Sequence, residues 1–166
     1  MKIRVLLAAL AALLVLSQVG CIDPKDRRPG LRLSAEVVAG AVADWSFSDA
    51  HQEIYLETPT WYGVPHSVTT VCAAIGDTLY VPSVYFAGGQ WPGKFWNRNV
   101  VSNPHVRLEI GGQIYEREAV IVEDPAEAAA AVEALAAKYD FWKAQVAKPE
   151  AERFDRTIIR MDARRS

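Results

Sequence analysis

The residue types best suited to chemistry gather in one stretch, residues 86–99 (FAGGQWPGKFWNRN). Gly88, Gly89 and Gly93 let the backbone come close to a ligand, Lys94 and Arg98 bring positive charge, and Trp91 and Trp96 offer flat faces. Lys94 and Arg98 are four positions apart, so a short helix starting near Gly93 puts them on one face and adds its N-terminal amides to an anion site. Such a set suits an anionic, planar molecule. The plainer alternative is a surface loop whose tryptophans cover the core and whose cations are solvated. Pro82 and Pro92 bound the loop in either case.

Other chemistries are poorly supplied. His51, His66 and His105 stand in different segments without the spacing of a metal motif, so no metal site is expected. There is no Gly-x-Ser-x-Gly to make a hydrolase elbow. Two cysteines cannot build a disulfide scaffold, and Cys72, with no base or cation beside it in sequence, is expected to be a buried free thiol. The net charge of −2 carries no clustered basic face, which argues against a nucleic-acid partner.

Two hairpins must position the loop. Residues 66–75 and 78–85 flank Gly76-Asp77, a two-residue turn whose leading glycine suits type II′. Residues 106–110 alternate strictly, Gly111-Gly112 supplies the positive φ of a turn, and residues 113–123 return. An earlier strand is expected at 52–58 and a last one at 154–161. Residues 31–43 are ambiguous between an alternating strand and an Ala-rich helix, and are read as a helix. Asp124-Pro125-Ala126-Glu127 starts a helix, with an acid at the N-cap and proline at the first position. Val132, Leu135, Tyr139, Trp142 and Val146 then form one apolar stripe, predicting a single amphipathic helix on the sheet. The expected architecture is α+β: a six-stranded antiparallel split β-barrel with flanking helices, in one domain over 31–166.

The order of these pieces resembles the flavin-binding split barrels of the pyridoxamine 5′-phosphate oxidase-like superfamily. The likeness is carried by a Ser/Thr-rich strand (HSVTTV, 66–71), the hairpin to LYVPS (79–83), Lys94 with Trp96-Asn97, and Asn103-Pro104-His105-Val106-Arg107-Leu108. It is similar in particular to the deazaflavin-dependent nitroreductase-like branch. The resemblance implies FMN or deazaflavin as cofactor, oxidoreductase chemistry on an unspecified substrate, and a homodimer with the cofactor at its interface. Carried over by position, Ser67, Thr69, Ser83 and Lys94 face the cofactor phosphate, and Trp96, Asn97 and Arg98 lie near it or near the ring. His66 departs from the pattern, since many relatives carry arginine early in this strand. Export sits uneasily with a flavin enzyme, so a split barrel that binds another small ligand such as haem without catalysis, or an interaction module of the cell envelope, stands as the alternative.

The N-terminus carries an address. Lys2 and Arg4 precede an apolar run at 5–16, shorter than the ~20 residues that span a bilayer, which fits a secretory signal peptide over 1–20. Cys21 follows Ser17-Gln18-Val19-Gly20, similar to the lipobox of bacterial lipoproteins, so Cys21 is the expected lipidation site. Residues 21–30 then read as a lipid-anchored tether with no chemistry of its own, and the protein as an exported, membrane-anchored lipoprotein of the bacterial cell envelope.

Overall fold

The computed structural model describes residues 24–25 and 28–164. The signal-peptide and lipidation readings, Cys21 included, fall outside the described residues. Both predicted hairpins are present, and glycine sets their turns. β4 (Ala73–Ile75) pairs with β5 (Thr78–Val84), Ile75 opposite Thr78, and Gly76 carries the positive φ (+62°) that a type II′ turn needs at its first position. β6 (His105–Ile110) pairs with β7 (Gln113–Ile121) across Gly111 and Gly112, whose φ values of +60° and +78° are those of a type I′ turn. A side chain at Gly111 would also meet the His51 ring, 2.7 Å from where its Cβ would stand.

The strands join in one sheet in the order β3-β2-β6-β7-β8-β5-β4, where β2 is Ile54–Thr58, β3 is His66–Thr70 and β8 is Arg156–Ala163. All these pairings are antiparallel; β1 (Glu36–Val38) adds a parallel pairing to β7. The α+β class is as expected, but the six-strand count is not, because the described residues form eight strands in an unclosed sheet. One cause is that the predicted strand 66–75 breaks at Val71-Cys72. There the Cys72 N–H donates to the Tyr139 hydroxyl oxygen (3.3 Å), and the Cys72 carbonyl accepts from the Tyr139 hydroxyl (2.9 Å) and from Lys138 Nζ (3.1 Å). With its backbone groups taken by side chains, Cys72 leaves the ladder, and the chain passes from one edge of the sheet path to the other.

The second cause is residues 31–43, which form no helix: Glu36–Val38 is the short strand β1 and the rest of the stretch is irregular. Leu33 is buried, and Val37 lies opposite Ile114 on β7. The predicted single helix is also two, α2 (Pro125–Lys138) and α3 (Asp140–Val146), with Tyr139 extended between them (φ −126°, ψ 127°). The bonds from Tyr139 to Cys72 account for the break. The start of α2 is as read from the sequence: Asp124 accepts from Ala126 N–H (2.9 Å) and Pro125 takes the first turn.

Two apolar layers hold the sheet, and strand alternation sorts residues between them. Leu79, Val81 and Ile159 face a core with Leu56, Leu108 and the Trp96 and Val100 side chains of α1 (Phe95–Ser102). Tyr80 and Ile158 face the other way, onto Val132 and Leu135 of α2 and Trp142 of α3. Cys72 is free and buried, as expected, and burial pushes its thiol up from the usual range. Among the described residues no helix is long and apolar enough to cross a membrane.

Candidate ligand cavity beside strand 3

α1 starts at Lys94, whose extended backbone (φ −79°, ψ 154°) turns the chain into the helix. Asn97, at the third helical position, reaches back so that its Oδ1 accepts the Lys94 N–H (3.2 Å) and the Tyr85 hydroxyl (2.9 Å). Its Nδ2 donates to Ser83 Oγ (3.2 Å). Ser83 and Asn97 are both fully buried, so these two predicted site residues sit together in the interior and fasten α1 to β5. Trp96 is buried, with its ring edge-on to Trp91 at 6.2 Å. Arg98 turns back to donate to the Gly93 carbonyl (2.9 Å) and lies over the Phe95 ring. Lys94 and Arg98 therefore do not share the single anion face that their spacing suggested.

A cavity of about 850 Å³ opens between β2, β3, Lys94 and the N-terminal residues Pro24, Lys25, Arg28 and Pro29. Of the seven predicted cofactor residues it unites Thr69 and Lys94, and adds Tyr55, Glu53, Lys25 and Arg28. The last two come from the tether, where no chemistry was expected. Their signal was present in the sequence, since Lys25-Asp26-Arg27-Arg28 is bracketed by Pro24 and Pro29, but solvation explains such a run equally well until the segment is seen against a strand. Burial lowers the affinity of the Lys94 ammonium for its proton, and the ammonium lies over the Tyr85 ring, 5.5 Å from its centroid. No carboxylate pairs with Lys94 among the described residues.

The N-terminal segment is held down at two points. Gly30 and Ser67 exchange both backbone hydrogen bonds (2.8 and 3.0 Å), which covers Ser67 and leaves its buried Oγ without a partner among the described residues. Three residues further, the Leu33 N–H donates to Glu57 Oε2 (2.6 Å) and the Leu33 carbonyl accepts from Arg107 Nη1 (3.2 Å), while Arg107 and Glu57 are paired at 2.8 Å. One buried ion pair thus satisfies both backbone groups of Leu33, just after the tether. Chemically the cavity offers three cations, threonine hydroxyls and an aromatic phenol against one acid, a set that neutralises a phosphate and accepts a flat ring.

No protein-family model matches the sequence, and no curated protein does. Among solved structures the fold is similar to a conserved hypothetical protein of Mycobacterium tuberculosis, at 20% identity over 78% of this chain and 86% of that one, with a TM-score of 0.56. It is also similar to HutZ, the haem storage protein of Vibrio cholerae (14% identity, 72% and 87% of the two chains, TM-score 0.52). An F420-H2-dependent reductase, FDR-A, matches at 16% identity over 75% of this chain and all of its own, with a TM-score of 0.50. These likenesses, all below 25% identity, show the fold, and it is the α+β split-barrel fold that the sequence resemblance implied.

Proposed function

We propose that the chain binds a phosphate-bearing planar cofactor, FMN or a deazaflavin, in the cavity beside β3 and acts as an oxidoreductase. The observation that carries this reading is the meeting of Thr69 and Lys94 with Lys25 and Arg28 around one cavity of about 850 Å³, a size within the ~300–1,000 Å³ of small-molecule sites. Lys94, Lys25 and Arg28 hold the phosphate by charge-assisted bonds, Thr69 adds a hydroxyl, and Tyr55 supplies a flat wall. When bound, the cofactor supplies the electron or hydride chemistry; the protein orients it and keeps water from it. The F420-H2-dependent reductase among the structural neighbours supports the choice of cofactor class. A homodimer and an anchor at Cys21, as the sequence suggests, belong to the same reading. Haem is less well served, since no histidine or cysteine lines the cavity among the described residues.

Titration with FMN, a deazaflavin and haem, followed by visible absorbance and flavin fluorescence, tests the proposal. FMN or deazaflavin is expected to bind with micromolar affinity. Lys94→Ala is expected to weaken it about 10- to 100-fold, the loss of one charge-assisted hydrogen bond of ~1.5–3 kcal/mol. The affinity also depends on pH with a definite sign. Because burial lowers the Lys94 proton affinity, the ammonium is lost at a lower pH than in a free lysine, so phosphate binding falls as pH rises into that range. In Lys94→Ala this part of the alkaline decline disappears. Absence of binding by both FMN and deazaflavin sinks the proposal.

A further inference from the structure

We infer that the face formed by the β2–β3 loop and the first turn of α1 docks the domain on an anionic bilayer surface. Trp61 is 91% exposed, and Tyr62, Val64 and Phe95 are each more than 40% exposed. These side chains form one connected patch: Trp61 meets Tyr62 edge-on at 5.3 Å, the Tyr62 hydroxyl bonds His66 Nε2 at 2.5 Å, and His66 meets Phe95 at 5.2 Å. Trp45, Trp96 and Trp142 are buried in the core, whereas Trp61 covers nothing. Exposed Trp and Tyr rings, apolar in body and polar at the tip, are the side chains that settle at the headgroup level of a membrane.

Charge selects the occupant. From residue 58 to residue 108 the sole acid is Asp77, in the β4–β5 turn, so this stretch of a chain of net charge −2 brings Arg98 to the patch, and Lys94 to its border with the cavity, with no carboxylate of its own. Arg98 lies over Phe95 at 5.8 Å, beside the apolar surface rather than apart from it. Cations around exposed aromatics complement anionic headgroups. A second copy of this chain fits less well, because two such faces would oppose their cations with no acid to pair them. The anchor that the sequence suggests at Cys21 points the same way, since it precedes Gly30, which is bonded to β3 through Ser67, next to His66 of the patch. This inference does not rest on cofactor binding.

The test reconstitutes the full chain in vesicles of brominated phosphatidylcholine and phosphatidylglycerol and reads tryptophan emission, so that attachment through the N-terminus alone gives no signal at Trp61. Bromine is expected to quench a component of up to about a fifth of the emission, Trp61 being one of five tryptophans. That component is lost in Trp61→Ser and reduced in Arg98→Glu or at high salt. Equal quenching in wild type and Trp61→Ser overturns the inference. So does a blue shift of Trp61 that follows protein concentration without lipid, which assigns the patch to a second copy.

Discussion

Glu57→Ala is expected to remove about 3–5 kcal/mol of stability, the cost of leaving the partner of a buried ion pair uncompensated. Glu57 is 6% exposed, and its carboxylate is bonded both to Arg107 and to the Leu33 N–H. Without it the Arg107 guanidinium stays largely buried with no counter-ion, and a backbone donor loses its acceptor. For a domain whose total stability is ~5–15 kcal/mol, that loss should show as a large fall in the urea midpoint. The segment that leads to Leu33 should loosen as well, so trypsin is expected to cut after Lys25 or Arg32 sooner than in wild type. Replacing both partners, Glu57→Leu with Arg107→Met, should recover much of the loss, because the desolvation penalty goes with the charges. A loss in Glu57→Ala below about 1 kcal/mol, the value of an exposed pair, contradicts the account of this clamp.

Asn97→Ala is expected to cost about 2–4 kcal/mol. The Asn97 amide serves Ser83 Oγ, the Tyr85 hydroxyl and the Lys94 N–H at once, and each buried group left unsatisfied costs ~1–3 kcal/mol, part of which local relaxation and water recover. Thermal unfolding measures it. The companion measurement separates a structural from a ligand-contacting role: the affinity of folded Asn97→Ala for FMN should change far less than that of Lys94→Ala. If instead Asn97→Ala melts like wild type and loses the cofactor, Asn97 faces the ligand and the interior cluster is misassigned.

Asn97 also shows how far the sequence could be read. Its place after a lysine, near the start of a short helix, was legible, and so was its company with Ser83 and Lys94. What no linear pattern distinguishes is whether an amide that far into the first turn points outward to a ligand or back to cap the helix and bond the neighbouring strand. That choice depends on how closely α1 lies on β5. Ser67 and Thr69 pose the same problem. They alternate onto one face of β3, yet Gly30 covers the first and leaves the second on the cavity wall, because a crossing chain screens one residue of a strand and not the next.

The amino-acid sequence alone determined the local elements: the two glycine hairpins, the start of α2, the alternating strands and the apolar stripe that packs on the sheet. These rest on interactions within a few residues, where φ preferences, capping and periodicity act without help from the rest of the chain. Only the tertiary structure decided that strand 66–75 breaks at Cys72, that the long helix divides at Tyr139, and that a supposed tether lends Lys25 and Arg28 to a cavity wall. Each of those depends on a bond between residues far apart in sequence, Cys72 with Tyr139, Gly30 with Ser67 and Leu33 with Glu57, and such partners are named by the packing of the whole domain rather than by any segment of it.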